Sequence, residues 1–205
     1  MKGLCIACTL AGLLLSGSAA AQPIGKAKDL AIGAERLFGF YLGEQDRELR
    51  NGVDVETDIS TFSLLWNWNP SFLNQPRFAI DYFVIDGLSV GGSFGVFVAK
   101  EEDADVTGFL FSGRAGYLLN ISDAVGFWPR GGLVYYNLNR DAGLGGDMDQ
   151  FALSLEAMFT LAPRDGWAFV LGPTVDFGFT GENENLDFHE YTIGIMIGIT
   201  GWVSL

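Results

Sequence analysis

The last nineteen residues of the chain, Asp187 to Leu205, separate cleanly by parity. Tyr191, Ile193, Ile195, Ile197, Ile199 and Val203 share one parity, and Glu190, Thr192, Gly194, Met196, Gly198 and Thr200 share the other. A period of two is the period of a β-strand, whose successive side chains point to opposite faces. One face is uniformly apolar; the other is small or polar. The first is too greasy for a mixed surface and the second too poor in bulk for a soluble sandwich. A strand between hydrocarbon and a polar lumen satisfies both. Trp202 is expected at the membrane–water boundary, where aromatic rings are favoured.

The pattern recurs upstream. Residues 30–42 alternate through Leu30, Ile32, Ala34, Phe38 and Phe40, and residues 57–68 through Phe62, Leu64, Trp66 and Trp68. Residues 88–100, 106–119, 124–139, 148–162 and 167–180 repeat it, which with 187–204 makes eight strands. The linkers alternate in kind. Asn120–Asp123 and Pro163–Gly166 have the composition of tight turns. Four acidic stretches, 43–58, 101–105, 140–149 and 181–187, are read as longer loops at the opposite rim. Short turns on one rim and long loops on the other predict an eight-stranded antiparallel up-and-down transmembrane β-barrel, closed because lipid tolerates no open edge. Residues 69–87 exceed a turn. They are read as an extension of the second strand past a proline kink, ending in the Asp86-Gly87 turn, with a ten-stranded barrel as the alternative.

The N-terminus supports export. Lys2, the uncharged apolar stretch Leu4–Leu15 and Ala19-Ala20-Ala21 have the layout of a secretory signal over residues 1–21, leaving 22–205 as the barrel domain. Cys8 is poorly placed for lipidation, because few residues precede it and Cys5 stands where an aliphatic residue is usual. Both cysteines leave with the signal, so the mature barrel is expected to have no disulfide or thiol chemistry. No later apolar run suits a spanning helix. The net charge of −13 disfavours nucleic acid as a partner.

The segment Tyr82-Phe83-Val84-Ile85-Asp86-Gly87-Leu88-Ser89-Val90-Gly91-Gly92 resembles the aromatic pair, small turn and glycine-containing strand of small outer-membrane β-barrel domains of the OmpA/OmpX-like group. The resemblance implies a Gram-negative outer-membrane location, insertion by the barrel-assembly machinery, and contact with membrane lipid and lipopolysaccharide. Such barrels commonly end in an aromatic residue; here the last residue is Leu205, with Trp202 nearby.

The same parity sorts the charges. Glu35, Arg114, Arg130, Glu156 and Asp176 fall opposite the apolar face, near the middle of their strands. On the lipid side an arginine at the midplane would cost roughly 2–4 kcal/mol. They are therefore expected to form a salt-bridged cluster, with Glu35 pairing Arg130, and Glu156 or Asp176 pairing Arg114. Arg36 has lipid-facing parity, which predicts a bulge or a snorkelling side chain there.

Chemistry is sparse elsewhere. The single histidine, His189, has no serine one strand step away on its face, which argues against a lipid A hydrolase. No cofactor motif is present. Asp141, Asp147 and Asp149 are a candidate divalent-cation loop, set against the plainer reading of a solvated acidic surface. The expected function is a monomeric, non-catalytic barrel, structural or surface-interacting, with a charge-plugged lumen. The alternatives are a narrow channel for small solutes or apolar molecules and, third, a lipid A-modifying enzyme.

Overall fold

A computed structural model describes residues 24–49, 54–65, 71–101, 104–140, 148–164, 166–183 and 186–205. The expected signal lies outside these residues, as do Asp141 and Asp147. The strands are β1 (Asp29–Leu49), β2 (Asp54–Leu64), β3 (Arg77–Phe83), β4 (Leu88–Glu101), β5 (Ala104–Tyr117), β6 (Leu119–Asn120), β7 (Val125–Arg140), β8 (Met148–Arg164), β9 (Trp167–Asn183) and β10 (Leu186–Ser204). A short 3-10 turn spans Phe72–Asn74.

The antiparallel ring runs β1-β3-β4-β5-β7-β8-β9-β10 and closes where β10 pairs back onto β1, from Asp29 opposite Ser204 to Leu49 opposite Leu186. That is a closed barrel of eight positions. The two additional segments are accounted for locally. β6 pairs Gly126 and Phe127 of β7 beside the turn at 121–124. β2 and β3 are two halves of one position: β3 pairs Leu30–Glu35 of β1, and β2 pairs Phe38–Glu48. The second strand is thus broken, not merely kinked. Residues 71–76, which precede Arg77, belong to neither strand, and Ser71, Leu73, Asn74 and Gln75 lie buried. The Asp86-Gly87 turn falls where expected, with Gly87 in the left-handed region at φ 81°.

The parity seen in the sequence is the parity of the barrel. In β10, Ile195 is 59% exposed and its neighbour Met196 is 1% exposed. The outward apolar face of β10 runs from Tyr191 to Val203. At ~3.3 Å per residue and a tilt of roughly 40° that stretch rises about 30 Å, the thickness of a hydrocarbon core. Above this belt the first acidic stretch is not a loop. Glu44, Asp46 and Glu48 continue β1, and Asp54, Glu56 and Asp58 begin β2. The hairpin arms outrun the membrane, and outward acids there face water. Trp202, half-buried near the end of β10, packs inward on the apolar cluster at the short-turn end of the bore, because it shares parity with Thr200 and not with Val203.

The bore is filled in layers. Along β7, Trp128, Arg130, Val134 and Tyr136 follow one another on the buried face, and along β8 Met158, Glu156, Ser154 and Ala152 do the same. The short-turn end holds an apolar cluster including Ile24, Phe83, Leu118, Trp128, Met158 and Met196. The long-loop end holds a second, including Leu73, Leu110, Val134, Tyr136 and Leu138. The charged residues lie between.

Among the described residues the wall has one discontinuity. β4 pairs with β3 from Ser89 to Phe94. Above Gly95, among the described residues, β2 and β4 share no ladder, and β2 is bonded only to β1. Phe62 on one lip, and Val96 and Val98 on the other, are 67%, 61% and 65% exposed.

Candidate functional site

The central charge layer is built around an irregularity in β1. Ala34 pairs Ile199 and Phe38 pairs Ile197, so three residues of β1 face Gly198 alone. A bulge of this kind re-aims side chains. Arg36 takes φ 54° and turns into the bore, where it is fully buried beside the equally inward Glu35. Simple parity would send Arg36 to lipid, and of the two outcomes expected there the structure has the bulge. The bulge is present, and it directs the guanidinium away from hydrocarbon, so no snorkelling occurs. Gly198 is required opposite it: a Cβ there would lie 2.6 Å from the Ala34 carbonyl oxygen and 3.0 Å from Glu35 Cα.

From Arg36 the ion pairs run as one chain. Its guanidinium donates to both carboxylate oxygens of Asp176, at 2.7 and 2.9 Å, a bidentate geometry. It also lies 3.6 Å from Glu156 Oε1. Arg130 Nη2 is 2.7 Å from Glu156 Oε2, and Arg130 Nη1 donates to Glu35 at 2.5 Å. Arg114 donates to both oxygens of Glu35, at 2.6 and 2.9 Å, and to both of Asp81, at 3.0 and 2.5 Å. Arg77, also buried, donates to the Leu73 carbonyl. Arg36, Arg77, Arg114 and Arg130 thus balance Glu35, Asp81, Glu156 and Asp176. Balance matters, since an uncompensated charge in a low-dielectric interior costs several kcal/mol. Arg130 also stacks over Trp128, 4.8 Å from the ring centroid.

The structure brings all five sequence-predicted residues together. Glu35 does meet Arg130. Arg114 reaches Glu156 only at 3.7 Å and is held chiefly by Glu35 and Asp81, while Asp176 belongs to Arg36. Arg77 and Asp81 went unrecognised, although they alternate with Phe78, Ile80 and Tyr82 as lumen residues should. Of the candidate cation loop only Asp149 is described, half-buried near the start of β8. His189 is exposed on β10, opposite Asp46.

The inserted segment is tied to this layer. Arg36 Nη1 donates to the Leu73 carbonyl at 2.9 Å and to Asn74 Oδ1 at 3.0 Å. Above it, the Ser71 hydroxyl donates to the buried carboxylate of Glu190. The open space beside the cluster, lined by Arg77, Arg114, Ser154 and Glu156 among others, is about 10 Å³. That is the lower limit for a single water molecule.

No family model matches the chain, and no curated protein matches it in sequence. Its likenesses are structural, and they place the fold among the small outer-membrane β-barrels. It is similar to the outer membrane protein OprG of Pseudomonas aeruginosa, at 12% identity over 90% of this chain and 100% of that one, with a TM-score of 0.54. Weaker likenesses are the N-terminal β-barrel domain of Pseudomonas aeruginosa OprF (13% identity, 85% and 98% covered, TM-score 0.47) and Neisserial surface protein A (13%, 82% and 96%, 0.47).

Proposed function

We propose that the chain is a non-catalytic outer-membrane barrel with a structural or surface-interaction role, monomeric, exported by a signal over residues 1–21, and closed along its axis. The observation carrying this reading is the balanced ion-pair chain across the bore, with an apolar layer sealing its short-turn side. An eight-stranded barrel encloses little beyond its own side chains, and these are locked. The partners in this reading are membrane lipid, lipopolysaccharide and the assembly machinery. Exposed His189 has no serine beside it, which supports a non-catalytic role. Assaying loss of lipid A acyl chains with and without His189→Ala tests that. Planar-bilayer recording tests the closed bore: the wild-type protein is silent, and steady discrete openings overturn the proposal.

The gap between β2 and β4 favours a second reading, a side route for apolar molecules. Phe97 packs on the upper apolar layer, which includes Leu73. Liposome uptake separates the two. Entry of an apolar solute without entry of a polar solute of equal size supports the side route; entry of neither supports the closed barrel.

A further inference from the structure

The outer wall carries a cleft of about 360 Å³, lined by Leu42, Gly43, Glu44, Asp58, Ile59, Ser60, Tyr191 and Ile193. This falls in the size range of small-ligand sites, which are mostly apolar with a few converging polar groups. The register explains the shape. Leu42 is opposite Ile193 on one side and Ser60 on the other, so a short side chain leaves a hollow between bulky ones. One step higher Glu44 is opposite Asp58, with Glu56 on the diagonal. Carboxylate oxygens of Glu44, Glu56 and Asp58 all lie within 4.8 Å of one another. Like charges directly opposite across a strand pair are destabilising. Among the described residues no lysine or arginine pairs with these three. The cleft therefore has an apolar lower wall inside the belt and, among the described residues, a negative upper wall at its edge with no paired cation.

We propose that this cleft binds a membrane-embedded amphiphile with an ammonium head. The charge pattern selects the head: three carboxylates attract a cation and repel an anionic lipid. The depth selects the tail, because Leu42, Tyr191 and Ile193 offer it a surface continuous with the lipid-facing wall. A bare cation would use the acids and leave the apolar half empty. A neutral amphiphile would use the apolar half and leave the acids uncompensated.

The test uses the full barrel in phosphatidylglycerol nanodiscs, whose lipid carries no ammonium group, with isotope-labelled isoleucine and leucine methyls. Dodecyltrimethylammonium, dodecyl maltoside, dodecyl sulfate and magnesium chloride are titrated separately. The expected result is a saturable shift of the Ile193 and Leu42 methyls with the ammonium amphiphile alone. Glu44→Gln combined with Asp58→Asn weakens it at least tenfold, and Ser60→Leu, which fills the hollow, weakens it similarly. Unchanged heat-modifiable gel migration shows that each variant folds. Equal shifts with the maltoside would reduce the cleft to ordinary lipid contact, and shifts with magnesium alone would make it a cation site. Either outcome, or no saturation, overturns the proposal.

Discussion

Replacing Arg36 with methionine removes a side chain that joins the bulge, the inserted segment and β9. Its guanidinium donates to Asp176 at 2.7 and 2.9 Å, to the Leu73 carbonyl at 2.9 Å, to Asn74 at 3.0 Å, to Thr174 at 3.1 Å and to Ser154 at 3.3 Å. Asp176, fully buried, then keeps hydroxyl neighbours in Ser154 and Thr192, the latter at 3.4 Å, and only the more distant guanidinium of Arg77 as a counter-charge. Breaking a buried pair from one side costs about 3–5 kcal/mol, because the remaining charge is stranded. For a domain of this size each kcal/mol moves the midpoint by about 2–4 °C, so Arg36→Met lowers it by roughly 6–20 °C. The midpoint is read from the temperature at which the compact gel band is lost. Neutralising the partner as well, in Arg36→Met/Asp176→Asn, recovers most of that drop, since the pair itself contributes little beyond its hydrophobic replacement. A loss under about 1 kcal/mol, or a double variant no better than the single one, refutes the reasoning.

The remaining predictions concern the same layer and the wall around it. Arg114→Ala strands Asp81 and leaves Glu35 with Arg130 alone, so it lowers the melting midpoint and gives planar-bilayer openings that the wild type lacks. Gly198→Val drives a Cβ into the Ala34 carbonyl and destabilises by about 1–3 kcal/mol in urea titration of the lipid-embedded barrel. Hydrogen exchange at the β4 amides of Gly95–Val98 that point toward β2 is faster than at the paired amides of Ser89–Phe94 on the same edge.

How far the chain could be read in advance follows from which features are periodic. Alternation located all eight wall positions, because one face of each strand must meet hydrocarbon and a slip of one residue would expose the wrong face. The same alternation sent Glu35, Arg114, Arg130, Glu156 and Asp176 inward without any knowledge of their neighbours. Arg36 breaks the parity because a bulge adds residues and shifts the count; the charge itself, too costly at that depth to face lipid, is what points to a bulge or a snorkelling side chain there. Arg77 and Asp81 were legible by parity and were obscured by treating 69–87 as one kinked connection. The inward course of Ser71–Gln75 has no periodic signature. It is fixed by hydrogen bonds to Arg36 and Glu190, which are distant in sequence, and to Arg77, which follows it closely.

A nitroxide scan along β10 bears most directly on all of this. With Cys5 and Cys8 in the expected signal, single cysteines from Tyr191 to Val203 can be labelled one at a time in lipid vesicles. Collision with oxygen, which concentrates in hydrocarbon, is expected to rise at Ile193, Ile195, Ile197 and Ile199 and fall at Gly194, Met196 and Gly198. A flat profile, or one with its maxima on the even positions, would mean that this wall does not separate lipid from a packed bore.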